Sequence, residues 1–193
     1  MKLFVAELRS LTPYAQGKYH EEPKLPQELH DAYKRRTALA QLHTAAGEVY
    51  IPPKSFHLCL SSTASYTGDQ IPGKGKERYT KHYDRGVICS EPVMLGIKAD
   101  TVRVEAIFTE LNPQRPGSRG WVYFPVIDQW AGELQIMAID DIFTPDIIER
   151  HLRIGGLITG IGVWRPERKG SWGKFQVVSL AERPFNTTRR DPT

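Results

Sequence analysis

The sequence predicts an α+β fold with a ferredoxin-like core, whose elements follow the order strand, helix, strand, strand, helix, strand. Alternating apolar and polar residues over 2–10 predict the first strand, and residues 174–182 predict a closing strand. The strongest local signal is Thr144-Pro145-Asp146, because Thr caps a helix, Pro suits its first position and Asp favours its first turn. This signal predicts a helix that ends at Gly155-Gly156.

The N-terminal half combines an irregular insertion with two predicted helices. Residues 11–27 contain three prolines and a glycine, so we expect no regular structure there. Residues 27–44 lack both residue types and place leucines at helical spacing, which predicts a helix. A short strand is expected at 48–51. A second helix should follow Pro52-Pro53, since proline is favoured in a first helical turn.

The C-terminal half is predicted to be rich in strands. Strand patterns lie at residues 87–89, 101–108, 121–127 and 133–139. Proline, glycine and asparagine within 112–120 predict a hairpin or loop. The chain has 193 residues, and about 150 residues is the usual size of a domain. We therefore expect a single domain over 1–182 and a frayed tail over 183–193.

Composition and charge exclude several classes of protein. No apolar run reaches the roughly 18–20 residues of a membrane span, so we expect no membrane partner. Cys59 and Cys89 are isolated, which argues against a disulfide framework or a thiolate metal site and indicates a reducing cytoplasm. The sequence contains no zinc-protease, hydrolase or phosphate-loop motif, so we expect no catalytic residue, metal or cofactor. The net charge of +4 matters for function only where the cations cluster.

Residues 67–86 contain the first basic cluster. They show no hydrophobic period, and long polar segments of this kind are usually functional or disordered. We expect a basic flap inserted in the domain and projecting from its core, although a solvated loop is the simpler alternative. Basic and aromatic side chains are interleaved here, as in proteins that bind single strands. The candidate binding residues of this segment are Lys74, Lys76, Arg78, Tyr79, Lys81, His82, Tyr83 and Arg85.

The second basic cluster lies in a C-terminal glycine-rich loop. Residues 155–173 hold six of the sixteen glycines. A dinucleotide-binding fold needs a strand, then glycines, then a helix, whereas here the helix comes first. Glycines allow close approach of a ligand, cations neutralise phosphates and indoles stack on bases. The alternative is a glycine-rich hairpin with a tryptophan that caps the core. The candidate binding residues are Trp164, Arg165, Arg168, Lys169, Trp172 and Lys174.

Two segments resemble the RAMP superfamily, the ferredoxin-like RNA-binding proteins that form the backbone of CRISPR effector complexes. Residues 50–60, YIPPKSFHLCL, are similar to the start of a family helix whose basic residues face nucleic-acid phosphates, which adds Lys54 as a candidate. Residues 160–175, GIGVWRPERKGSWGKF, are similar to the family's glycine-rich loop. Both segments are also similar to phage-encoded proteins, which would place the chain in the host cytoplasm. The resemblance implies a homo-oligomer, a ring or a filament, along a nucleic-acid strand.

Together these observations predict a non-catalytic protein that binds single-stranded nucleic acid, either RNA or single-stranded DNA. Two other classes stay open. A metal-independent ribonuclease would use a histidine such as His43 or His82 and would cleave RNA in EDTA. A protein-interaction module, for example a phage component with this fold, would give no salt-sensitive gel shift.

Overall fold

The computed structural model describes residues 1–111 and 117–184. The elements along the chain are β1 (Lys2–Ser10), β2 (Tyr14–Ala15), α1 (His30–Arg36), β3 (Thr44–Ala45), β4 (Glu48–Ile51), α2 (Pro53–Thr67), α3 (Thr80–Gly86), β5 (Val87–Ile88), β6 (Val93–Lys98), β7 (Arg103–Glu110), β8 (Arg119–Ile127), β9 (Ala131–Ala138), α4 (Pro145–Ile154) and β10 (Phe175–Arg183). Short 3-10 turns lie at Ala38–Gln41, Ala99–Thr101 and Pro166–Arg168, and a π-helical turn at Gly155–Thr159 continues α4.

The core is a four-stranded sheet in the order β10-β1-β9-β5, and every neighbouring pair is antiparallel. The connection through α2 joins β1 to β5, and the connection through α4 joins β9 to β10. Each connection passes over the one strand that lies between the two it joins. This is the ferredoxin-like arrangement, and the predicted α+β fold is confirmed.

One face of this sheet packs against α2 and α4. Alternate residues of β1 and β9 are fully buried on that face, and they share one hydrophobic cluster with both helices. The cluster includes Phe4, Leu8, Leu134, Ile136, Phe56, Leu60, Ile148 and Leu152. The predicted N-cap of α4 forms as expected, because Thr144 Oγ1 accepts a hydrogen bond from the Ile147 amide at 3.4 Å.

Two insertions build smaller sheets beside the core. The hairpin of β7 and β8 pairs with β2, and β4 pairs with both β3 and β6. The helix predicted over 27–44 is shorter than expected, since α1 ends at Arg36 and a 3-10 turn follows. None of the side chains of α1 is buried, so no apolar contact extends this helix. β6 was not predicted.

The segment 67–86 does not project as a flap, and that prediction is wrong. Its last third is the helix α3, which places Tyr83 fully inside the core, and Tyr79 is only 4% exposed. Both rings pack against Phe143 and against His151 of α4. Tyr79 at the N-cap of α3 and Tyr83 within it form the apolar side of a helix that is too short to show a hydrophobic period.

Of the tail predicted over 183–193, Arg183 still belongs to β10, and residues 185–193 lie outside the described residues. Residues 112–116 of the predicted hairpin loop also lie outside them.

Two histidines fasten this segment to the core. His82 contacts Asp140 through Nδ1 at 2.8 Å and Glu77 through Nε2 at 3.1 Å. The hydrogen bond with Asp140, supported by Glu77, raises the pKa of His82 above its ordinary value. His151 is fully buried and lies between the Tyr83 hydroxyl at 2.8 Å and the Asp69 carboxylate at 3.0 Å. Burial lowers the pKa of His151, although Asp69 opposes that shift.

Replacing Gly156 should test the close packing behind the glycine-rich loop. Gly156 lies where a Cβ atom would overlap the Phe175 carbonyl oxygen of β10. We expect Gly156→Ala to lower the free energy of unfolding by about 1–3 kcal/mol, because neither backbone can move away freely. Ser171→Ala, on an exposed residue of the same loop, should stay within about 0.5 kcal/mol. Urea unfolding of both variants checks this, and equal stabilities would contradict the packing account.

Protonated His82 should stabilise the fold in a defined pH range. Its pKa is raised in the folded state, so its contribution is complete below the unfolded pKa of about 6.5 and disappears as the pH rises through the folded pKa. We expect His82→Gln to destabilise the protein at pH 5.5 and to have a smaller effect at pH 9. His151 is present in both proteins and cancels from their difference. A stability difference that does not change with pH would refute the role of the His82 proton.

Candidate nucleic-acid interface

The exposed face of α2 forms the floor of the candidate interface. The buried face of this helix consists of Phe56, Cys59, Leu60, Thr63 and Ala64. The opposite face presents Lys54, Leu58 and Ser65 to solvent at helical spacing, and Tyr66 is 75% exposed beside them. A cation therefore lies at the start of this face, and an exposed aromatic ring lies in the last turn of the helix, to one side of the face.

Adjacent serines of α2 bind the two basic segments. Ser61 Oγ donates a hydrogen bond to Asp84 of α3, and Ser62 Oγ donates one to Glu167 of the glycine-rich loop. Because neighbouring residues on a helix differ by about 100° in direction, α3 and the loop lie on the two flanks of the exposed face. The fold thus brings the two predicted basic regions to one surface.

Exposed cations line this surface. Lys81 and Arg85 lie one turn apart on α3, on the exposed side that also carries Asp84. Arg168 and Lys169 are exposed on the opposite flank. The Arg78 guanidinium lies beside Gly68, the residue that caps the C-terminal end of α2. A Cβ atom placed on Gly68 would be 3.7 Å from it. Lys74 and Lys76 are exposed in the turn that precedes it, where the Ile71 amide donates to the Glu77 carbonyl at 2.8 Å.

The glycines of the loop have a structural cause. At Gly162 a Cβ atom would overlap the Ala15 carbonyl, and at Gly173 it would overlap the Ile161 carbonyl. Both residues have positive φ, which glycine adopts at low cost. The loop is closed by backbone hydrogen bonds, including Ile161 N–H to Gly173 O at 3.0 Å. Its shape is therefore fixed by packing on β2, and it presents Arg168 and Lys169 from a rigid base.

Several predicted binding residues have other partners. Arg165 donates to Glu167 at 2.8 Å and to the Gly162 carbonyl at 3.0 Å, so it braces the loop and is not a free cation. Burial alone would raise the pKa of Glu167, but hydrogen bonds from Ser62 and Arg165 outweigh it and lower that pKa. The backbone of Lys174 is joined to Thr12, whose Oγ1 accepts its amide at 3.0 Å. Arg165 and Lys174 therefore help to close the loop.

Most of the predicted aromatic contacts are also engaged inside the protein. Tyr79 and Tyr83 cannot stack on a base, because both are buried in the core, and His82 is held by two carboxylates. The Trp164 and Trp172 rings lie 6.5 Å apart, and Trp164 contacts Phe124 of β8. These indoles join the loop to the hairpin of β7 and β8, and both are half-buried.

Sequence reasoning missed two sets of exposed aromatic residues. Tyr66 is exposed in the last turn of α2, but it lies three residues after buried Thr63 and seven after buried Cys59, so helical spacing did not indicate its exposure. Phe108 and Trp121 stack edge to face on the β7–β8 hairpin, with ring centroids 5.4 Å apart, and both are exposed. Their position depends on the hairpin register, which carried no signal in the sequence.

A small pocket opens between the start of α2 and the glycine-rich loop. Its volume is about 280 Å³, and its lining includes His43, Ser55, Leu58, Val163, Glu167 and Arg168. Burial, with a smaller effect of Lys18, lowers the pKa of His43. The pocket therefore contains a neutral imidazole, a hydroxyl group and apolar walls, and it lies next to the cation of Arg168.

The other face of the four-stranded sheet has a different character. Within 1–111 and 117–184, its outward positions carry no aromatic side chain, and Glu7 lies directly opposite Glu133. Paired carboxylates repel phosphates. In the same described ranges, no cluster of three or more His, Cys, Asp or Glu side chains could hold a metal ion, and no helix could cross a membrane. The exposed face of α2 is the better candidate for a polyanion.

Comparison with known proteins supports the fold. No protein-family model matches the sequence, and no curated protein matches it. A chain of the type III-B Cmr-beta complex, determined by cryo-EM bound to cognate target RNA, is similar in structure, with a TM-score of 0.54 and 10% identity. The match covers 94% of this chain and 60% of that one.

The crystal structure of Cmr6 from Pyrococcus furiosus is also similar, with a TM-score of 0.49, 10% identity, and coverage of 92% of this chain and 98% of the other. The protein spans about 60% of the length of the Cmr-beta chain that it matches. It has the ferredoxin-like α+β fold of that chain, as its resemblance to the RAMP superfamily implies.

Proposed function

We propose that this protein is a non-catalytic, CRISPR-associated binder of single-stranded nucleic acid, with RNA as its ligand. The observation that carries the proposal is the exposed face of α2, which is flanked by the cations of two segments that Ser61 and Ser62 bind through Asp84 and Glu167. Cations on two flanks of a groove neutralise successive phosphates of a strand that follows the helix. Tyr66 offers an exposed ring for an unstacked base.

The similarity to a known structure favours RNA over single-stranded DNA as the ligand. The similar chain belongs to a complex that is bound to target RNA. Single-stranded DNA is the alternative ligand, and a 2′-hydroxyl is the chemical difference that a comparison of matched oligonucleotides detects. A preference for the deoxy strand would correct the ligand and leave the interface unchanged.

We propose further that several copies assemble head to tail along one strand. A head-to-tail contact uses two different surfaces of each subunit, so it extends to a ring or a filament. Support comes from the RAMP resemblance of residues 50–60 and 160–175. The mass of the complex on oligonucleotides of increasing length tests this, and a constant mass of one subunit per strand would contradict it.

A ribonuclease is the second candidate function, and one observation favours it. His43 lines the pocket beside the cations, and burial lowers its pKa, so its neutral form could accept a proton. His82 is less suited, because two carboxylates hold it. Incubation of labelled RNA in EDTA separates the two functions: intact RNA is expected, and cleavage that His43→Ala abolishes would establish the enzyme instead.

Binding should depend steeply on salt. Five exposed cations flank the α2 face directly: Lys54, Lys81, Arg85, Arg168 and Lys169. If each neutralises one phosphate, the slope of log affinity against log salt should be about −3.5, at roughly −0.7 per contact in single strands. Fluorescence anisotropy with a labelled 12-mer measures it. No binding to RNA or to single-stranded DNA at 50 mM salt would refute the proposed function.

Removing cations from one flank should change this slope. We expect the double variant Lys81→Ala/Arg85→Ala to reduce the magnitude of the slope by about 1.4, because two phosphate contacts are lost. All sequences should weaken alike, since phosphate contacts carry no sequence information. Lys24→Ala/Lys98→Ala removes two exposed cations elsewhere and is the matched control. A control variant that loses as much affinity as the α3 variant would place the binding surface elsewhere.

Tyr66 should contribute to affinity independently of salt. We expect Tyr66→Ala to weaken binding by about 1–3 kcal/mol, the typical contribution of a stacked base, with no change in the salt slope. Tyr66→Phe should retain the affinity, because the ring makes the contact. Tyr19→Ala, at a ring that is 82% exposed on the first insertion, is the control for loss of a surface aromatic. Equal affinities of wild type and Tyr66→Ala would refute stacking at this position.

A further inference from the structure

The pocket between α2 and the glycine-rich loop is the place where a bound strand could be read. We propose that it holds the base of one nucleotide, whose phosphate lies at the mouth beside Arg168. This inference rests on the proposed function and adds base selectivity to it. It predicts that each subunit of the protein discriminates one base of the strand while holding the others through their phosphates alone.

Size and wall chemistry fit a single base. The volume of about 280 Å³ lies just below the roughly 300–1,000 Å³ of pockets for drug-sized ligands, so it suits a small ligand such as a single base. Leu58, Pro52 and Val163 supply apolar walls. Leu58 is 52% exposed on the same α2 face that the strand would follow, so the pocket opens directly from the interface.

The charges of the pocket place the base inside and the phosphate outside. Glu167 also lines the pocket, and hydrogen bonds from Ser62 and Arg165 lower its pKa, so it is ionised at neutral pH. Arg165 neutralises this carboxylate in part, and both of its contacts are within the loop. A phosphate inside would meet the Glu167 carboxylate, whereas a neutral base would not. Arg168 lines the pocket and is exposed, so its guanidinium can meet a phosphate at the mouth.

Two polar groups are positioned to read the edge of a base. The first is the imidazole of His43, whose main-chain amide donates to Gln16 Oε1 at 2.5 Å. The Gln16 amide group in turn donates to the Tyr50 carbonyl at 2.8 Å, and Gln16 is only 2% exposed. The second is the Ser55 hydroxyl in the first turn of α2. Both groups lie on regular elements or are tied to them, which gives the geometric precision that base recognition needs.

Homopolymers test the inference. Binding of U, A and C 12-mers is measured by anisotropy for wild type, His43→Ala, Ser55→Ala and Leu58→Trp, which fills the pocket. Wild type should prefer one base by about 5-fold or more, the effect of one good base contact. The three variants should lose this preference and keep the salt slope. His57→Ala, on the same helix outside the pocket lining, should keep both. Thermal unfolding confirms that each variant is folded.

The outcomes separate this inference from the proposed function. Salt-dependent binding without base preference in wild type would overturn the inference and leave the proposed function standing. Absence of all binding would overturn both. Free nucleoside monophosphates form the last arm: if they bind in a manner that requires His43 while the oligonucleotides show no base preference, the pocket takes a free nucleotide and the strand-reading proposal is wrong.

Discussion

The candidate surface depends on two hydrogen bonds that adjacent side chains of α2 donate in different directions. Ser61 holds α3, and Ser62 holds the glycine-rich loop. Asp84 and Glu167, which lie about 80 positions apart in the sequence, are thereby joined across a single helix. Both acceptors are carboxylates that also belong to basic segments, so the protein uses its own anions to place its cations. Tyr83 anchors α3 in the core, and the Ser61 bond ties its exposed side to the floor of the interface.

Rigidity of the loop has a separate origin, the close approach of backbone to backbone. Glycines at 156, 162 and 173 lie against carbonyl oxygens where any side chain would overlap. Close packing of this kind leaves the loop few alternative shapes. The cations at Arg168 and Lys169 are therefore presented from a fixed base, which lowers the entropy that binding must overcome. Glycine in this loop is therefore a packing requirement.

The sequence predicted the order of the core elements and both basic regions, because those features are local. Thr144-Pro145-Asp146 is an example, since the cap, the proline and the acid act within one turn. α3 was missed because its apolar side consists of Tyr79 and Tyr83, whose partners Phe143 and His151 lie sixty or more residues away. The pairing of Arg165 with Glu167 was missed for the opposite reason. Two charges so close in sequence pair only in certain backbone conformations, and the sequence did not define the turn.

The central claim is that a strand lies along the exposed face of α2 between the two basic flanks. Lysine acetylation read out by mass spectrometry, with and without a saturating RNA 12-mer, tests it most directly. The account predicts that RNA protects Lys54, Lys81 and Lys169, while Lys24 and Lys98 react equally in both samples. Unchanged labelling of the three α2-side lysines in a complex that demonstrably contains RNA would contradict the claim.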